Sequence, residues 1–261
     1  MQRFLMKSVL AIAVLFCCTS CLKIEELVHF NKDFSGKYKM TVDMGEMMGM
    51  MSMFSGMMGE EGDEGMGGFD LKSLGGADVT KGIDSMVDVL GKINGINNVK
   101  MDFDQKTFKT NYEFEFKDID ALNKALRIAQ ANQLFSKSEG KDMFELKGNK
   151  LYRNENESLK NLTGENSMEG LGDLGGLFGG EEEADKKSKK KKGDDDKMDN
   201  MMSAFMGDIT YTSIYEFEQP VKKSKNKSAE VDNNTVKLVF YPMEEEKNGK
   251  MGMANRITLG K

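Results

Sequence analysis

Apolar and polar residues alternate with a period of two along several stretches of the chain. Leu22, Ile24, Val28 and Phe30 fall on one face of an extended segment, with Glu26 as the polar exception on that face. This alternation predicts a half-buried strand. The segment Asn31 to Gly36 (NKDFSG) supplies turn chemistry. Tyr38, Met40, Val42 and Met44 then alternate with Lys37, Lys39, Thr41 and Asp43, which predicts a β-hairpin. A second hairpin follows the same logic. Val99, Met101 and Phe103 lead into a turn near Asp104-Gln105-Lys106, and Phe108, Tyr112, Phe114 and Phe116 return.

Helical periods separate and follow these hairpins. Asp78 is placed to cap a helix that presents Val79, Ile83, Met86, Val87 and Leu90 on one side. Asp118 is placed to cap another, with Ile119, Leu122, Ala125, Leu126 and Ala129 together. Phe144 and Leu146 then pass through Gly148-Asn149, a tight-hairpin signal, to Leu151 and Tyr152. Further on, Ile209, Tyr211, Tyr215 and Phe217 alternate until Pro220. Val236, Leu238 and Phe240 predict another strand before Pro242, and Ile257 to Leu259 a short last one. Strands and helices mix without a regular βαβ order. The predicted class is therefore α+β, with antiparallel hairpins packed with short helices, interrupted by low-complexity inserts.

Two segments carry no sustained period. Residues 60–76 are rich in Gly and acid, and Ser158 to Lys197 runs through GLGDLGGLFGG, EEEAD, KKSKKKK and DDDK. Such composition buries too little apolar area to offset ordering entropy. The expected organisation is a signal peptide at 1–20 and an α+β module at 21–157. A linker at 158–197 follows, and a C-terminal helix and strands at 198–261 complete the fold. The 261 residues include 23 Met and 28 Gly but only 2 Pro, 1 His and no Trp. The net charge of -6 argues against nucleic acid as a partner.

The first residues change the picture most. Arg3 and Lys7 precede Val9 to Cys18, a run of ten residues without a charge. That is half of the roughly 20 apolar residues a spanning helix needs, but it fits a secretory signal of 7–15. Cys18-Thr19-Ser20-Cys21 then resembles a bacterial lipobox, although Cys18 occupies the place where Leu is usual. Among the three cysteines, Cys21 alone has a small residue, Ser20, just before it. The resemblance implies that Cys21 carries diacylglycerol and further acyl chains such as palmitate, and becomes the first residue of the mature chain. The alternative is an ordinary cleaved signal peptide with Cys21 as a free thiol. Cleavage before an acylated Cys21 leaves no thiol, which excludes disulfides, thiol catalysis and Cys-ligated metals. It also removes two basic residues, leaving 35 against 43 acids, a charge of -8.

Candidate chemistry is sparse. The lysines of 186–192 are flanked by Glu181, Glu182, Glu183, Asp185, Asp194, Asp195 and Asp196, so beyond a Debye length of roughly 8 Å the block is near neutral. It reads as a solvated linker. Met44, Met47, Met48, Met50, Met51, Met53, Met57 and Met58 crowd into fifteen positions. Thioethers suit Cu(I), so a soft-metal handling protein is the alternative reading. A flexible apolar helix or contact surface is the plainer one, and Met198, Met201, Met202, Phe205 and Met206 repeat it. His29, the single histidine, falls on the polar face of the first strand. No H-E-x-x-H, G-x-S-x-G, P-loop or EF-hand pattern is present. No enzyme activity, catalytic residue, cofactor or metal site is expected.

The opening Cys21-Leu22-Lys23-Ile24-Glu25-Glu26, followed by Phe30-Asn31-Lys32-Asp33-Phe34-Ser35-Gly36 and Thr41-Val42-Asp43-Met44, resembles a group of bacterial lipoproteins and is distantly similar to the LppM-type lipoprotein domain. Phe217 to Val221 and Asn255 to Leu259 extend the pattern. The shared motif is a turn and not an active site. It implies an envelope location, with the lipid bilayer as partner through Cys21 and an envelope protein or lipid as a further partner. Leu22, in place of the Asp that retains some lipoproteins at the inner membrane, points to the outer membrane, facing the periplasm.

Overall fold

The computed structural model describes residues 22–49, 77–129, 142–155, 209–241 and 252–260. The predicted signal segment, Cys21, most of the Met-rich stretch and the 158–197 insert lie outside them. Eleven strands are described: β1 (Leu22–Phe30), β2 (Gly36–Asp43), β3 (Ile96–Asp104), β4 (Lys109–Phe116), β5 (Phe144–Lys147), β6 (Lys150–Arg153), β7 (Ile209–Phe217), β8 (Val221–Ser224), β9 (Glu230–Asp232), β10 (Thr235–Phe240) and β11 (Asn255–Leu259). Two helices, α1 (Ala77–Gly91) and α2 (Ile119–Ala129), join them, and residues 45–49 are also helical. The class is α+β.

The strands form two sheets. One has seven strands in the order β3-β4-β2-β1-β7-β10-β9, and the other four in the order β5-β6-β11-β8. Every pairing is antiparallel except that of β1 with β7, whose registers run from Leu22 opposite Ile209 to Phe30 opposite Phe217. β1 is therefore central, paired with β7 along its whole length and with β2 from Lys23 to Phe30.

The first turn shows how local chemistry sets this register. Asn31 donates from its backbone to the Ser35 carbonyl at 2.8 Å and from Nδ2 to Ser35 Oγ at 2.8 Å. Asp33 Oδ1 accepts from the Ser35 amide and hydroxyl at 3.0 and 2.7 Å, which holds its carboxyl below the usual range. Gly36 is needed for space, because a Cβ there would overlap the His29 carbonyl oxygen.

The inner face of the larger sheet is largely apolar along β1, β2, β4, β7 and β10, as the alternation predicts, with Glu26, Thr110 and Ser213 as its buried polar exceptions. Phe30 is fully buried and stacks on Phe217 at 5.3 Å, with Phe116 and Phe144 edge-on at 5.8 and 5.9 Å. Phe144 belongs to the smaller sheet, so this aromatic cluster joins the two layers. α2 is capped as expected: Asp118 Oδ1 accepts from the Ala121 amide at 2.8 Å. Its Ile119, Leu122, Ala125 and Leu126 are buried where it meets β3, β4 and β5. Asp78 is already helical within α1 (Ala77–Gly91) and so does not stand before it as a cap.

Candidate functional site

One polar cluster sits inside the apolar core. Glu26, the exception on the inner face of β1, is fully buried. Two strand positions of β7 aim phenols at it: Tyr211 donates to Oε2 at 2.6 Å and Tyr215 to Oε1 at 3.1 Å. Arg153, at the end of β6 in the other sheet, is 1% exposed and donates from Nε to the Tyr215 oxygen at 2.8 Å. Its Nη1 donates to the Asn154 carbonyl at 2.6 Å. Its Nη2 lies 3.7 Å from Glu26 Oε2 and makes no hydrogen bond. The cluster is a charge pair bridged by tyrosine between the two sheets.

Burial, with the charge of Glu26 beside it, pushes the phenol of Tyr211 far above its ordinary range. Tyr215 is raised by burial against an opposing pull from Arg153. Burial also raises Tyr38 and Tyr112 on the neighbouring strands. All four phenols therefore stay neutral. Both carboxylate oxygens of Glu26 are occupied by protein hydroxyls. The geometry holds two layers together, with Glu26 fully buried between them.

The second distinctive place is the end of the larger sheet where β1 begins. Leu22, the residue after Cys21, is buried and starts the central strand. Asp104, Lys109, Asp43, Lys23 and Thr210 occupy successive positions across five strands at this end. Lys23 pairs with Glu46 at 2.9 Å and Lys109 with Asp43 at 3.0 Å. Burial opposes ionisation of Asp43. The hydrogen bonds from Lys109 and the Gly45 amide outweigh it, and its carboxyl is held below the usual range. Asp104 accepts from the Lys106 amide and the Thr107 hydroxyl at 2.9 and 2.8 Å, and these bonds lower it likewise.

No family model matches the chain, and no curated protein does. Among solved structures the chain is similar to the folded domain of the Mycobacterium tuberculosis LppM protein, determined by NMR. The two align with a TM-score of 0.40 and 6% identity, over 92% of this chain and 90% of that one. This domain is of the type that the residues of the first hairpin resemble.

The remaining candidates fall as follows. Cys21 lies outside the described residues. Met44 and Met48 are 3% and 4% exposed and belong to the core, with Met47 packed against it; the later members of the stretch lie outside the described residues. His29 projects from the outer face of β1, half-buried, with Nδ1 3.4 Å from Glu216 Oε2. Among the described residues, no group of three or more His, Cys, Asp or Glu is arranged to hold a metal, and no helix is long and apolar enough to cross a membrane. Sequence reasoning found Glu26 as an anomaly but passed over Arg153. The available signal was its place two residues after Leu151, on the buried face of the same strand.

Proposed function

We propose that the protein is a bacterial lipoprotein of the cell envelope, held by acyl chains on Cys21, whose α+β module serves as a binding or structural unit without catalysis. The observation that carries this is the order of features before the fold: Arg3 and Lys7, the uncharged run Val9 to Cys18, then the small residues Thr19 and Ser20 directly before Cys21. Processing between Ser20 and Cys21 leaves every described strand intact.

The energetics favour a permanent anchor. Each buried CH₂ contributes about 0.8 kcal/mol, and one acyl chain gives only marginal binding, so two or three chains on one residue hold firmly. A role without catalysis is supported by the burial of the polar cluster: Glu26 and Arg153 lie between the two sheets, out of reach of a substrate in solution. Leu22 in place of Asp favours an outer-membrane destination and a periplasmic orientation.

Fractionation tests the reading. Cys21→Ala should leave the precursor unprocessed or release the chain into the soluble fraction. A processed Cys21→Ala chain that stays with the membrane would overturn the lipid anchor.

A further inference from the structure

Where the anchor sits relative to the sheet has a geometric consequence. If Cys21 is acylated, about 3.8 Å of chain separates the lipid-bearing residue from Leu22. Leu22 cannot move independently, because it is buried and paired with Ile209, and from Lys23 onward its strand is paired on both sides. No flexible linker lies between lipid and fold. The end of the sheet that holds Leu22 must therefore lie against the headgroups.

We propose that this end of the seven-stranded sheet is a membrane-contact surface, with the sheet standing upright on the bilayer. The surface comprises the row from Asp104 to Thr210, the adjoining Phe108, and Tyr241. Tyr241 follows Phe240, which pairs with Tyr211, and so reaches the level of Thr210. The inference deepens the lipoprotein reading and rests on it.

Three features of this end suit an interface of headgroups and water. Tyr241 is 47% exposed, one of the few large apolar side chains so placed among the described residues. An aromatic ring with a polar tip is favoured at headgroup depth. Phe108 is partly buried, its backbone held at a φ of 51° while its carbonyl accepts from the Met44 amide at 3.1 Å, so its position is fixed. Most charges beside it are matched within the protein, Lys23 with Glu46 and Lys109 with Asp43, while Asp104 accepts from the Lys106 amide and the Thr107 hydroxyl. Bringing such pairs to a neutral surface leaves little unmatched charge. The partner is thus the bilayer itself, with no requirement for anionic lipid.

The outer face of the sheet argues against the alternative of lying flat. Glu25, Lys37, Lys39, Glu115 and Lys237 are exposed along it. Pressing that face into the interface would desolvate charges of both signs. Standing upright, the nine residues of β1 carry the Asn31–Gly36 turn about 30 Å from the bilayer, at roughly 3.3 Å per residue. The turn, Pro220 and the loop at Asn233 then face away from the membrane, toward any soluble partner.

The test uses the mature lipidated protein, in which an acylated Cys21 leaves no other thiol. Tyr241→Cys and Lys32→Cys are each labelled with an environment-sensitive fluorophore and reconstituted in phosphatidylcholine vesicles containing shallow spin-labelled lipid. The label at 241 should lose most of its emission, and the label at 32 should lose none. Equal quenching, or stronger quenching at 32, in protein that carries acyl chains and floats with the vesicles overturns the upright orientation alone. A chain found to lack acyl groups overturns both the orientation and the anchor. Circular dichroism of each variant establishes that its fold is unchanged.

Discussion

Taking a carboxylate and a guanidinium out of water costs several kcal/mol for each ion. Glu26 and Arg153 recover this through two phenols, one backbone carbonyl and their mutual attraction. Removing one partner strands the other. Glu26→Ala should therefore lower the unfolding free energy by about 3–5 kcal/mol in urea denaturation. The double replacement Glu26→Leu with Arg153→Met should cost much less than Glu26→Ala, because no buried charge is left alone. If the double variant is the weaker, the pair is not coupled as the geometry indicates. The tyrosines give a pH signature. Their folded pKa values lie above the unfolded value near 10.0, so their contribution is fully present below pH 10 and is lost as pH rises beyond it. Stability should be flat from neutral pH to about pH 9 and fall above 10. Tyr211→Phe should reduce that fall in denaturation curves taken across the alkaline range. At this scale the sequence was half legible. Glu26 announced itself by breaking an apolar face, whereas Arg153, at the end of a four-residue strand, reads as an ordinary surface cation.

Elements meet through side chains that imitate backbone. Asn123 of α2 donates from Nδ2 to the Phe144 carbonyl at 2.7 Å and accepts from the Phe144 amide at 2.9 Å. It thereby pairs the edge strand β5 as a neighbouring strand would. Asn123→Leu should leave both backbone groups buried and unpaired, at about 1–3 kcal/mol each. Thermal unfolding should show the loss, together with faster amide exchange at Phe144. An unchanged exchange rate would mean that the contact is dispensable. Asn255 plays a similar part for the loop after β8, its Oδ1 accepting from Ser224, Lys225 and Asn226. These contacts explain what the pattern of apolar residues could not reveal. β8 and β9 have exposed, Lys- and Glu-bearing sequences with little alternation, and are placed by such hydrogen bonds and by β11 and β10. The long hairpins, by contrast, were legible because each buries one face. The parallel match of β1 with β7 was not, since it joins residues nearly two hundred positions apart.

For the whole molecule, the predicted signal segment, the predicted processing site and the central strand lie consecutively in the chain. β1 is the middle of the larger sheet, and Cys21, the proposed site of acylation, directly precedes it in the chain. The most direct test is the intact mass of the protein purified from its native host, with fragmentation of its N-terminus. A chain beginning at Cys21 and bearing a diacylglyceryl thioether is the predicted result. A chain beginning elsewhere, or at Cys21 without acyl groups, contradicts it.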